Sequence, residues 1–185
     1  MVAKSNVTTS RAVFLDRDGV LVIPEMRDGR SFAPRQLEQF RVYPEARAAL
    51  GRLKNAGYLL VVVTNQPEVG RGLISRFTLE QMHDRLRQEL PIDRIEVCCH
   101  TQTDNCSCRK PKPGMLMSAA REYGIELNDS FMVGDRASDV AAGIAVGCKT
   151  IFIDLEYVSE LKPESFSYRA RSIIEAAEII LRDSA

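Results

Sequence analysis

The chain has 185 residues, in which 25 Lys and Arg balance 25 Asp and Glu; that length suits one compact domain (1–185) with a single core. Balanced charge supplies no overall field to concentrate the protein on a nucleic-acid backbone or an anionic membrane, so a small-molecule ligand is expected. Apolar runs such as Tyr58–Val63 fall far short of the roughly 20 residues of a membrane span.

The polar start, Met1–Ser10, has no apolar core of the kind a secretory signal needs, which places the five cysteines in a reducing compartment, the cytoplasm. Arg11–Leu15 then reads as an apolar strand. Pro24–Tyr43 reads as a long loop. Pro44 opens a helix in which Ala46, Ala49, Leu50 and Leu53 share one face, and Gly57 closes it. Tyr58–Val63 is a β-branched run suited to a strand covered on both faces. A second long loop is expected over Pro67–Phe77. Thr78 and Gln81 then have capping-box spacing ahead of Met82, Leu86 and Leu90.

Ile95–Cys98, Phe131–Val133 and Thr150–Ile153 repeat the short apolar strand character, completing about five strands. Between and after them, helices are expected between Pro113 and Gly124, from Ser138, and over Ser172–Leu181. Strands alternating with helices imply crossover connections: an α/β, Rossmann-like fold with helices layered on both faces of a mostly parallel sheet, and a site at the strands' carboxyl ends.

The chemistry-bearing residues fall at those ends. Asp16-Arg17-Asp18-Gly19 follows the first strand, and two carboxylates at that spacing can converge on one ion or one reacting phosphorus. A solvated Asp-Gly turn would look the same. Thr64-Asn65-Gln66 ends the next long strand with a hydroxyl and two amides suited to phosphate oxygens or a polyol, or to an ordinary polar turn. Arg109-Lys110-Pro111-Lys112-Pro113 sets cations just before a helix amino terminus that also favours anions, although a solvated basic loop would share that composition. Gly134-Asp135-Arg136 follows a later strand, with Asp139 one helical turn on; Asp135 fits a magnesium ligand, since Mg²⁺ commonly takes one or two protein carboxylates.

Cys98, His100, Cys106 and Cys108 stand in C-x-H-x5-C-x-C spacing. Four soft ligands on one short loop suit a tetrahedral Zn²⁺ with no open position, hence a structural ion, where the alternative is a set of unconnected thiols. Cys99 is expected to point away from that set, and Cys148 to be a small core residue.

Taken in order, these motifs resemble the haloacid dehalogenase (HAD) superfamily of phosphatases over Arg11 to about Ile153. The resemblance implies Asp16 as nucleophile and Asp18 as general acid/base, with Thr64 and Lys110 holding the phosphoryl oxygens. It implies Mg²⁺ on the Asp16 carboxylate, the Asp18 backbone carbonyl and the Asp135 carboxylate, supported by Asp139. An Asp at position 18, where long-lived aspartyl-phosphate relatives carry Thr, favours rapid turnover.

Within the superfamily, the zinc loop and D-R-D-G, T-N-Q and C-R-K-P resemble small-cap members that act on D-glycero-D-manno-heptose 1,7-bisphosphate or on histidinol phosphate, with no large cap domain. Gly70-Arg71-Gly72 and Lys110–Met115 favour removal of the C7 phosphate of the heptose; the short His100–Cys106 spacing and Gly134–Asp139 favour histidinol phosphate. Val20 and Pro24–Arg27 depart from both. Asn65, Gln66, Arg109 and Arg136 are expected to bind substrate, Arg71 is a further candidate, and Glu25, Asp28 or Glu68 could meet a cationic amine. A monomer acting on a phosphosugar is expected. A non-catalytic zinc-bearing phosphosugar-binding module is the alternative from another class, and a nucleic-acid 3′-phosphatase would want a basic groove.

Overall fold

The computed structural model describes residues 10–27, 29–158 and 160–184. The leader expectation on Met1–Ser10 and the side chain of Asp28 fall on positions outside these, Ser10 apart. Six strands form one sheet: β1 (Ala12–Leu15), β4 (Leu59–Asn65), β5 (Arg94–Cys98), β6 (Phe131–Gly134), β7 (Lys149–Ile153) and β8 (Tyr168–Ala170). Their spatial order is β5-β4-β1-β6-β7-β8, every pair parallel. A separate antiparallel hairpin joins β2 (Glu25–Arg27) to β3 (Arg30–Phe32). No helix among the described residues is long and apolar enough to cross a membrane.

Strand periodicity decides the layering. Val13 and Leu15 of β1, with Leu60 and Val62 of β4, face one core, where α1 (Ala46–Asn55), α3 (Arg76–Glu89) and α6 (Ile173–Asp183) pack. Ala12, Phe14, Val61 and Val63 face the other, under α4 (Gly114–Tyr123) and α5 (Ala137–Ile144). A strand buried on both sides cannot alternate with polar residues, which is why β1 and β4 read as continuous apolar runs. Cys148 lies in the second core.

β1, β4 and β6 occupy the sheet centre, so their carboxyl ends open side by side and bring Asp16, Thr64 and Asp135 to one place. The crevice outside such strand ends is where open parallel sheets bind ligands.

Three local expectations are corrected. Ser75, not Thr78, caps α3: its side chain accepts from Thr78 N, and an extended Ser75 satisfies an amide that helix geometry leaves unpaired. Pro67–Phe77 contains a short helix, α2 (Pro67–Gly70), opened by Pro67. Pro24–Tyr43 contains the β2–β3 hairpin and a single 3-10 turn, Leu37–Gln39. β8 was not anticipated, because Tyr-Arg-Ala carries no apolar run and, among the described residues, is paired only on one side, through Ile151, Phe152 and Ile153.

Candidate active site

Asp16, Asp135 and Asp139 bring one carboxylate oxygen each to within 4.8 Å of one another, and all three are buried. Lys110 enters this cluster from the loop before α4. Its ammonium lies 2.8 Å from Asp16 Oδ1 and 2.7 Å from Asp139 Oδ1 and donates to Val63 O at 2.7 Å. Burial works to lower the Lys110 pKa, but Asp139 and Asp16 outweigh it and hold the ammonium above its ordinary value.

Three carboxylates around one ammonium leave the buried cluster with excess negative charge. Burial, and then the charges of Asp16 and Asp139, push Asp135 well above the usual carboxylate range; burial likewise raises Asp139 to about 6, with Lys110 opposing. Neither oxygen of Asp135 has a hydrogen-bond partner among the described residues. A buried acceptor pair left bare beside two more carboxylates matches the oxygen-ligand set of a hard divalent cation. Mg²⁺ therefore fits the residues present.

Two glycines permit this close packing. Gly19 has φ 88°, and a Cβ there would lie 2.1 Å from Asp135 Oδ2; at Gly134 it would lie 2.1 Å from the Cβ of Asp139. Gly19→Ala is accordingly expected to cost about 1–2 kcal/mol from the left-handed backbone alone, and to displace Asp135 besides. Chemical denaturation should show a lowered midpoint, and an unchanged midpoint would contradict the crowding.

Asp18 is clamped rather than solvated. Gln66 Nε2 donates to its Oδ2 at 2.7 Å, Arg17 Nη2 to the same oxygen at 2.9 Å, and Arg17 Nε to Oδ1 at 3.2 Å. Gln66 Nε2 also reaches Thr64 Oγ1 at 2.9 Å. Gln66 and Thr64 are buried, whereas Asn65 makes two hydrogen bonds to the Lys110 backbone, at 3.0 and 3.1 Å. Gln66 thus fixes Asp18, and Asn65 fixes Lys110 while also lining the cleft beside it.

Sequence reasoning missed Arg17 and His83. Arg17 is fully buried, its guanidinium 5.4 Å over the Phe40 ring and its Nη1 3.4 Å from His83 Nε2. Burial, then the charges of Arg17 and Arg87, push His83 down to about 3, so the neutral ring can accept from Arg17. An Arg directly between two acidic residues at a strand end was the available signal; nothing in the sequence tied His83 to it.

The cysteine loop lies beside the same cleft. Sulfur–sulfur separations among Cys98, Cys106 and Cys108 are 3.2, 3.4 and 3.7 Å, and His100 Nδ1 is 3.3 Å from Cys108 and 3.6 Å from Cys98. A tetrahedron with metal–sulfur arms of about 2.3 Å has edges of about 3.8 Å, and none of these cysteines is in a disulfide. The donor set and spacing fit Zn²⁺. Half-buried Cys99 is outside the cluster.

Above Asp16 and Lys110 opens a cleft of about 550 Å³, walled by the β2–β3 hairpin, α2 and the cysteine loop. No separate cap covers it among the described residues. Arg71, Arg109, Lys112 and Arg136 line it, as does Glu68. Arg109 donates to His100 O at 3.3 Å. Arg136 is tied to Ser31 Oγ at 2.7 Å and to Glu160 at 3.3 Å, which anchors the hairpin to the start of α5.

Comparison with known proteins identifies relatives of this chain. The HAD-hydrolase-like family model matches residues 107–171. A D-glycero-beta-D-manno-heptose-1,7-bisphosphate 7-phosphatase from Helicobacter pylori (strain J99) is 38% identical over 144 residues, 75% of this chain and 79% of that protein. Its Pasteurella multocida counterpart is 34% identical over 183 residues, 92% and 96% of the two chains. The crystal structure of the D,D-heptose 1,7-bisphosphate phosphatase from B. bronchiseptica, complexed with magnesium and phosphate, superposes with a TM-score of 0.81 at 28% identity, covering 94% of this chain and 99% of that one. With these relatives and that fold, the chain belongs to the D-glycero-beta-D-manno-heptose-1,7-bisphosphate 7-phosphatase family within the HAD-like hydrolases.

Proposed function

We propose that the protein is a Mg²⁺-dependent phosphomonoester hydrolase that removes the C7 phosphate of D-glycero-D-manno-heptose 1,7-bisphosphate through an aspartyl-phosphate on Asp16. The observation that carries the reading is the buried cluster in which Lys110 is fixed between Asp16 and Asp139 while both Asp135 oxygens stay unpaired. The names of the relatives and the magnesium and phosphate in the B. bronchiseptica structure support it.

An Asp16 carboxylate oxygen attacks phosphorus, and the bond from phosphorus to the sugar oxygen breaks as Asp18 delivers a proton to that oxygen. Asp18, now a base, takes a proton from water; the water oxygen attacks phosphorus, and the bond to Asp16 breaks to release phosphate. Lys110 and Thr64 hold phosphoryl oxygens, while Arg17 and Gln66 orient Asp18. Mg²⁺, held by the Asp16 and Asp135 carboxylates and the Asp18 carbonyl, would neutralise charge on the phosphoryl oxygens and shield the nucleophile from its anionic substrate. Zn²⁺ on Cys98, His100, Cys106 and Cys108 would be structural, bracing the loop that presents Arg109 and Lys110. The reading places the enzyme in the cytoplasm as a monomer.

Lys110 is committed to the phosphoryl group being removed, which leaves Arg109 and Arg71 for the remote phosphate; an Arg fork can hold it bidentately. Arg136, paired with Glu160, contributes mainly to the cleft wall. Histidinol phosphate is the second reading, because Glu68 lines the cleft and could meet its amine. Measuring kcat/KM for both substrates decides between them: a higher value for the bisphosphate is expected, with Arg109→Ala narrowing the gap by hurting the bisphosphate. A wild-type preference for histidinol phosphate would overturn the assignment.

A further inference from the structure

The side chain of Glu68 has no polar partner among the described residues. It is 8% exposed and lines the cleft, yet its carboxylate takes no hydrogen bond and no ion pair from any described residue. Its backbone is held firmly: Glu68 O accepts from Leu73 N at 2.8 Å, closing the turn after α2. Its oxygens are not among the buried unpaired atoms and face the water of the cleft, so a ligand that fills the cleft displaces that water and must replace its hydrogen bonds to the carboxylate or leave it unpaired at a cost.

Three partners could satisfy it. A metal ion is disfavoured, because the carboxylates that converge are Asp16, Asp135 and Asp139, and Glu68 is not among them. An ammonium group, the partner that the histidinol phosphate reading would bring, meets Arg71, Arg109, Lys110, Lys112 and Arg136 against Asp16, Asp18 and Asp139 beside Glu68, and the excess of cations disfavours it. Uncharged hydroxyl groups remain. They bring donors without charge, and a carboxylate, which only accepts, can take two neighbouring hydroxyls at once.

Resting on the phosphatase reading, we infer that Glu68 is a specificity-determining residue that accepts hydrogen bonds from sugar hydroxyls of the substrate. The cationic wall takes phosphate; Glu68 recognises the polyol that carries it. Phosphate esters without hydroxyls displace water from the cleft without replacing its hydrogen bonds to the carboxylate and are selected against by that cost.

Glu68→Gln tests this, since it keeps the size but replaces one acceptor oxygen by a donor. Wild type and variant are assayed with Mg²⁺ on heptose 1,7-bisphosphate, fructose 1,6-bisphosphate, histidinol phosphate and hydroxyl-free p-nitrophenyl phosphate. The variant is expected to lose roughly 10–100-fold in kcat/KM on sugar phosphates, the scale of a hydrogen bond to a charged group, with p-nitrophenyl phosphate unaffected. If only a sugar phosphate other than the heptose shows that loss, the substrate assignment fails and the inference stands. Equal kcat/KM of the two proteins on every sugar phosphate overturns the inference even where the heptose is cleaved. It is equally overturned if wild type does not favour sugar phosphates, or if the loss falls on histidinol phosphate.

Discussion

Asp16→Asn is expected to fold and to be inert. The substituted amide keeps an Oδ1 acceptor for Arg17 N, now 2.8 Å away, and Lys110 keeps Asp139 and Val63 O. Replacing one of three clustered carboxylates also relieves like-charge repulsion, so the thermal midpoint should hold or rise. Chemistry should not survive: an amide is a poor nucleophile and a weak ligand for a hard cation, and turnover should fall by roughly 10⁴–10⁶-fold, the scale of losing a nucleophile. Beryllofluoride, an acyl-phosphate analogue, should bind wild type and not the variant. Asp18→Asn should slow turnover by only ~10²–10⁴-fold, as for loss of a general acid/base. Steady-state kinetics on all three proteins checks the ranking, and full activity in Asp16→Asn would remove Asp16 from the mechanism.

Cys108→Ser should have the next largest effect, on stability and activity together. Cys108 contacts each of the other three cluster members, at 3.2, 3.3 and 3.4 Å, and is followed directly by Arg109 and Lys110. Structural zinc binding is worth about 10–16 kcal/mol in small zinc-dependent peptides; here the sheet and its two cores fold around the loop, so only part of that should reach the global midpoint. The catalytic loss is local. Lys110 is delivered through this loop and its backbone hydrogen bonds to Asn65, and a loosened loop should lower turnover by roughly 10–100-fold, as when supports of a metal site are removed. Elemental analysis of wild type purified without added metal should find one zinc per chain. Zinc-free wild type that is fully active and stable would contradict the assignment.

The parts of this molecule legible in the sequence are those where one physical requirement dominates. Doubly covered strands must be apolar throughout, and β1, β4, β6 and β7 announce themselves that way. Strand ends in an open parallel sheet must carry the polar ligand-binding groups, so Asp16, Thr64 and Asp135 stood out by position. β8 did not, because an edge strand of three residues needs neither apolar content nor length. The helix start at Ser75 was misplaced because Thr78 and Gln81 have the same spacing as a capping box, and sequence alone cannot say which hydroxyl is extended.

Side-chain partnerships were the least legible. Asn65 and Gln66 read as ligand-facing amides, since amides at a strand tip can face either a ligand or the backbone; the folded chain turns Gln66 to Asp18, while Asn65 reaches Lys110 and lines the cleft as well. Arg17 and His83 meet across 66 positions of sequence, a relation that no local pattern encodes. Glu68 could be named as a candidate, but only burial and the lack of a partner among the described residues distinguish it from an ordinary surface acid.

The central claim, that Asp16 carries the phosphoryl group, is tested most directly by acid-quenching wild type during turnover, reducing with borohydride and mapping the peptides. A phosphoryl-aspartate is reduced to homoserine, and the account predicts that conversion at position 16, dependent on substrate and absent in Asp16→Asn. Conversion at another aspartate, with position 16 intact, would contradict it.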